Sequence, residues 1–105
     1  MIDWLFSKSK DILLFLLESD NKNLKEIQQG IGGSFSTIDK HLMMLKEYNL
    51  IEERKEPNKS PDGRIIVGYS RIFSLTNKGK IVAEKLKEID KQIAEIKEIL
   101  EEEKK

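Results

Sequence analysis

Leu24-Lys25-Glu26-Ile27-Gln28-Gln29-Gly30-Ile31-Gly32-Gly33-Ser34-Phe35-Ser36-Thr37-Ile38-Asp39-Lys40-His41-Leu42 is the stretch that decides the fold. Asn23 precedes it, and Glu26 follows Asn23 by three residues, which matches a capping box at a helix start. Leu24, Ile27 and Ile31 recur at spacings of three and four, so a short amphipathic helix spans 24–31, with Gly30 a weak spot in it. Gly32-Gly33 ends that helix, because glycine enters the left-handed conformation at little cost. Ser34 then caps a second helix through Tyr48, whose inward stripe is Ile38, Leu42 and Leu45. Two short helices joined by a Gly turn are therefore expected over 24–48.

Upstream, Ile12–Leu17 is a run of six apolar residues. Its length alone does not separate helix from strand. Leu dominates and only Ile12 is β-branched, which favours a helix ending near Glu18, with Ser7, Ser9 or Asp3 as its cap. Ser19-Asp20-Asn21-Lys22 reads as a turn. Downstream, Asn49 stands where the third helix must stop, as the commonest non-glycine residue in the left-handed region. Leu50–Glu56 reads as a strand and Pro57–Gly63 as a loop with two Pro and an Asp-Gly pair. Arg64–Leu75, rich in Ile, Val, Tyr and Phe, reads as a second strand with a bulge or close approach at Gly68. Thr76 or Asn77 caps a last helix. In it Val82, Leu86, Ile89, Ile93, Ile96 and Leu100 follow spacings of 4, 3, 4, 3 and 4, a heptad seam. At 1.5 Å per residue this helix reaches roughly 35 Å, too long to lie wholly on so small a domain. The expected class is mainly α with a small β-hairpin (α+β). Residues 1–76 form one unit, with its third helix at about 35–48 and its hairpin at about 51–75. Residues 77–105 form a projecting helix.

Composition removes many functions. The 105 residues contain no Cys and one His, so disulfide scaffolds, thiolate or multi-His metal sites and Cys nucleophiles are excluded. No paired carboxylates, Ser-His-Asp order or phosphate-cradling Gly loop appears, and Gly30, Gly32 and Gly33 do not follow a strand, so neither enzyme nor cofactor is expected. The longest apolar run is far short of the ~20 residues of a membrane span, and the start lacks a secretory pattern, so a cytoplasmic protein without membrane contact is expected. Lys plus Arg equal Asp plus Glu at 19 each. This argues against binding nucleic acid by bulk charge, and any DNA-facing surface must come from sidedness.

The 24–42 stretch resembles a winged helix-turn-helix without gaps, such domains commonly reading L-K-E-L-A-x-x-L-G-I-S-x-S-T-V-S-R-H-L. Leu45-Lys46-Glu47-Tyr48-Asn49-Leu50-Ile51 resembles L-E-x-x-G-L-I, with Asn49 in place of Gly. Phe73-Ser74-Leu75-Thr76-Asn77-Lys78-Gly79-Lys80 resembles the Y-x-L-T-x-K-G-K run after the wing in the MarR and PadR groups of transcription regulators. The resemblance covers roughly residues 10–86. It departs at Gly33, which replaces a small apolar turn residue and loosens the packing, and at Asp39, which puts negative charge where DNA would lie. The resemblance implies a homodimeric transcription regulator on double-stranded, palindromic DNA, a repressor acting by promoter occupancy.

In such a domain the third helix enters the major groove and its early residues reach base edges. The candidates there are Ser34, Phe35, Ser36, Thr37, Asp39, Lys40 and His41; on the wing they are Arg54, Lys59 and Arg64, suited to phosphate or minor-groove contact. A solvated helix face and an ordinary surface loop are the plain alternatives. His41 reads as a surface or phosphate residue, with no second His or Cys to make it a metal ligand. The dimer surface is expected from Val82, Leu86, Ile89, Ile93, Ile96 and Leu100, joined by Ile2, Trp4 and Leu5. Leu and Ile at alternate heptad sites leave dimer and higher oligomer open. Trp4 and Phe6 read first as interface core, and a small-molecule effector is conceivable but not indicated. A winged helix also serves protein contacts, so a protein-interaction module or subunit of a larger assembly stands as the alternative.

Overall fold

The computed structural model describes residues 3–103. Ile2 lies outside them. A short 3-10 turn, Asp3–Phe6, precedes α1 (Lys8–Glu18). There follow β1 (Lys22–Asn23), α2 (Leu24–Ile31), α3 (Phe35–Glu47), β2 (Ile51–Lys59), β3 (Ile65–Leu75) and α4 (Asn77–Glu103). Ser7 sits at the N-cap of α1, but its hydroxyl donates to the Trp4 carbonyl and leaves the helix amides uncapped.

The core is one cluster that every element enters except β1. Ile12, Leu13 and Leu16 of α1, Ile27 of α2, and Ile38, Leu42 and Leu45 of α3 are fully buried. Leu50, Ile51, Phe73 and Leu75 close it from the hairpin, and Ala83 and Leu86 from α4. The 3-and-4 spacing of α3 puts its three inward residues on one stripe, which fixes the opposite stripe as the outward face. Asn49 ends this helix at φ 59°, as its residue type demands, and Asn21 takes the same conformation before β1.

Three features differ from the sequence expectation. Lys22–Asn23 is a strand and not only a turn: Lys22 pairs Phe73 and Asn23 pairs Ile72, giving a three-stranded antiparallel sheet of order β1-β3-β2. Two residues carry no period, so pattern could not find them. Their place is set from afar, with Asp20 Oδ1 accepting from the Leu75 amide at 3.0 Å. Second, the strand before the tip does not end at Glu56. It runs through Pro57 to Lys59, with a register shift between Pro57 and Lys59. β2 is an edge strand, where proline's missing donor costs no ladder bond. The turn is thereby confined to Ser60–Arg64, closed by Ser60 N–H donating to the Arg64 carbonyl at 2.8 Å. Third, α4 joins the core through Ala83 as well as Leu86, while Val82 is only half-buried.

Thr76 caps α4 by accepting the Gly79 amide at 2.9 Å, and its hydroxyl donates to the Asn49 carbonyl. α4 then crosses α1, where Lys10 meets Asp90 at 3.0 Å, and continues free of the domain. The molecule is accordingly elongated, 61 × 29 × 24 Å. No described helix is long and apolar enough to cross a membrane.

Candidate nucleic-acid interface

The turn between α2 and α3 is built as its sequence requires. Asn23 Oδ1 accepts the Glu26 amide at 2.8 Å while Glu26 Oε1 accepts the Asn23 amide at 3.1 Å, the reciprocal capping box. Gly32 and Gly33 take φ of 76° and 95°, which side chains seldom tolerate. Gly33 therefore does not loosen the turn: the Lys8 side chain lies against it and donates to the Ile31 carbonyl at 3.3 Å. Ser34 caps α3, accepting the Thr37 amide at 3.2 Å and donating to Thr37 Oγ1 at 2.9 Å, with Ser36 Oγ 3.3 Å away. Three hydroxyls thus gather at the positive end of a 13-residue helix.

The outward face of α3 carries Phe35, Ser36, Thr37, Lys40 and Met43, all exposed, with Ser34 at its start. Lys40 forms no ion pair with a described residue. Two of the sequence candidates are turned elsewhere. His41 is half-buried, its Nδ1 2.8 Å from the Oγ of fully buried Ser9. Burial, with Lys40 and Lys8 nearby, lowers the His41 pKa below the ordinary 6.5. The imidazole therefore ties α3 to α1 as a neutral group. Asp39 is paired to Arg71 of β3 at 2.9 Å, so its charge is held by the wing.

Arg71 is the hub of a network that sequence reading did not find. Its Nε and Nη2 grip Glu53 of β2 at 2.9 and 3.2 Å, and its guanidinium lies 5.1 Å over the Phe73 ring. Glu53 also accepts from Lys46 of α3 at 3.0 Å. Hydrogen bonds from Arg71 and then Lys46 outweigh burial and hold the Glu53 carboxyl down at about 2. The same Glu53 hydrogen bonds, and then those to Asp39, raise Arg71. One chain of alternating charges, Lys46–Glu53–Arg71–Asp39, thus fastens α3 to the hairpin. The signal for it was the cross-strand placement of Glu53 and Arg71 near one another, legible only once register is known.

On the hairpin, Arg54 is engaged by Glu56 at 2.9 Å and by Asn21 at 2.7 Å. Lys59 and Arg64 flank the turn and are exposed; Arg64 has Asp62 at 3.4 Å. The distal β3 residues Ile66, Val67 and Tyr69 are exposed, and with Pro57 they make an open apolar face. The expected dimer residues divide. Trp4 stacks on Tyr48 with ring centroids 4.9 Å apart, and with Leu5 it packs against its own core. Leu86 is buried and Val82 half-buried, whereas Ile89, Ile93, Ile96 and Leu100 are 37–57% exposed, with Ile99 beside them. Among the described residues no group of three His, Asp or Glu side chains could hold a metal ion.

A three-helix core with a tight turn before an exposed third helix, a hairpin strapped to that helix and a long last helix can be compared with known architectures. The chain has the winged-helix fold. Salmonella typhimurium ytfH superposes on 99% of it with a TM-score of 0.73 at 17% identity, and the chain covers 88% of that protein. A PadR family transcription regulator from Clostridium difficile matches 87% of the chain, and 96% of itself, with a TM-score of 0.70 at 23% identity. A transcriptional regulator homologue from Pyrococcus horikoshii matches 87% of the chain and 84% of itself, with a TM-score of 0.68 at 18% identity. No protein-family model and no curated protein matches the sequence. In winged-helix terms α3 is the third helix of the core and β2–β3 the wing.

Proposed function

We propose that this winged helix is a homodimeric, sequence-specific DNA-binding transcriptional regulator of the cytoplasm, a repressor acting by promoter occupancy. The observation that carries the reading is the outward face of α3. Ser34, Ser36, Thr37 and Lys40 stand exposed at its N-terminal end, and an ion-pair network holds the wing beside them. Hydroxyls and a helix N-terminus suit phosphate oxygens, and Lys40 suits phosphate or guanine acceptors. Lys59 and Arg64 at the wing turn suit the adjacent backbone or minor groove. The PadR family transcription regulator from Clostridium difficile and the transcriptional regulator homologue from Pyrococcus horikoshii, which share this fold, support the same reading. Two copies would meet half-sites about 34 Å apart in a palindrome.

Fluorescence anisotropy with DNA from upstream of its own gene tests this. Preferential binding that weakens as salt rises is expected; equal affinity for random DNA, or none, sinks the reading. The apolar wing face of Ile66, Val67 and Tyr69 favours a second reading, a protein-contacting winged helix. A Lys40→Ala, Arg64→Ala variant that keeps its cellular role would favour that one.

A further inference from the structure

α4 leaves the domain at Asp90, where its carboxylate meets Lys10. Before that point its seam is occupied, since Ala83 and Leu86 are buried in the chain's own core. From Ile89 onward Ile89, Ile93, Ile96 and Leu100 continue the same heptad without a break, and all four are exposed. Leu86, Ile93 and Leu100 share one heptad position, so the buried and the uncovered parts lie on one face of one helix.

We infer that this distal face is covered by the same face of a second copy running antiparallel, with Ile93 against the partner's Ile96 and Ile89 against the partner's Leu100. The inference rests on the homodimer reading and gives it an orientation and a register. Three observations select the arrangement. In a parallel pair the partner's first turns would run beside Ala83 and Leu86, where α1 already packs; an antiparallel partner meets only the free half. Among antiparallel registers this one fills four layers with the four exposed residues. A shift of one heptad toward the domain would call on buried Leu86, and a shift away would strip the seam of two layers. At the flank of the chosen register Asp90, one of whose oxygens Lys10 already engages, lies beside the partner's Lys97, twice by symmetry, while Gln92 lies beside the partner's Ile99.

The register has a consequence for reach. Ala83 of one copy and the partner's Ala83 stand 23 residues apart along the paired axis, about 34 Å at 1.5 Å per residue. One turn of DNA separates successive major-groove faces by about 34–36 Å. The arm thus holds the two points at which it enters its domains about one turn of DNA apart.

The chain has no cysteine, so single thiols report the pairing directly. Ile89→Cys and Leu100→Cys replace exposed side chains and leave the core intact. Oxidised alone, each is expected to stay uncross-linked, because in the antiparallel pair equivalent residues are far apart; mixed, they are expected to give a disulfide-linked heterodimer. Lys97→Glu is expected to weaken the dimer about tenfold in sedimentation, by turning two attractive flanks repulsive. Self-cross-linking of each variant alone means a parallel pair and overturns the inference while leaving the dimer. A monomeric wild type at 100 μM (roughly micromolar interfaces would be dimeric there) overturns both, and assigns the stripe to another partner. Both experiments run without DNA, so failure of DNA binding is read separately.

Discussion

Replacing Glu53 by Gln tests the network that joins the wing to α3. The substitution keeps size and one acceptor oxygen but removes the charge that Arg71 and Lys46 share. The carboxyl titrates at about 2 in the folded chain against an ordinary 4.5. At about 1.4 kcal/mol for each tenfold change in proton affinity, that displacement amounts to roughly 3 kcal/mol as an upper bound. Glu53 is only 13% exposed, but Arg71 and Lys46 are 36% and 42% exposed, so solvent screens part of it. A penalty of about 1–2 kcal/mol at pH 7 is expected for Glu53→Gln. A depressed carboxylate stabilises the fold above its unfolded pKa, and that contribution disappears as pH falls toward its folded one. The gap between wild type and variant should therefore be flat above pH 5, shrink below 4.5 and close near pH 2. Urea denaturation of both proteins across that range measures it. A gap that persists unchanged at pH 2.5, or none at pH 7, refutes the charge argument, and the pair would then be ornamental.

Under the proposed function, Arg71→Ala should weaken DNA binding by about tenfold, near 1.4 kcal/mol, because it leaves Asp39 unneutralised on the face that would meet phosphates. Asp39→Asn in the same chain should restore most of the loss in anisotropy; no rescue would mean that Arg71 acts only through stability. His41 is held neutral beside Ser9 with its pKa below 6.5, so its contribution is complete above pH 6.5 and declines as acid protonates it. Thermal melts at pH 7.5 and 5.5 should accordingly differ more for wild type than for His41→Asn. Gly79→Ala would drive a methyl group into the Leu50 carbonyl, whose backbone cannot yield freely. A loss of about 1–3 kcal/mol in chemical denaturation is expected, despite the better helix propensity of Ala.

Much of the architecture was legible because it rests on local chemistry. Asn23 with Glu26, Ser34, Asn49 and Thr76 each carry their own cap or stop, and Ile38, Leu42 and Leu45 carry their own period. What escaped depends on distant partners. β1 exists only because β3 lies beside it, and Pro57 stays in β2 only because no strand pairs on its far side. The site was legible as a face but not in its wiring. Asp39 and His41 fall in the recognition stretch by number, yet Arg71, 32 residues on, claims one and Ser9, 32 residues back, claims the other.

That wiring also bears on how, under the proposed function, a chain of zero net charge can face DNA. Between residues 36 and 71 four of the six acids, Asp39, Glu53, Glu56 and Asp62, have cations of the same region against them, namely Arg71, Lys46, Arg54 and Arg64, while Glu47 and Glu52 are exposed without an ion pair to a described residue. The fields of the paired acids are spent locally, whereas Lys40, Lys55 and Lys59 stay exposed without an ion pair to a described residue. Three such cations are few. Counterion release grows with each phosphate neutralised, so one domain alone gains little non-specific affinity. Under the proposed function, useful affinity must then come from base contacts by α3 repeated at a second half-site. Joining two domains turns the second contact into an intramolecular step, which multiplies affinity without adding charge. Under that reading a long α4 whose apolar seam outlasts its own domain is the joint the near-neutral surface calls for.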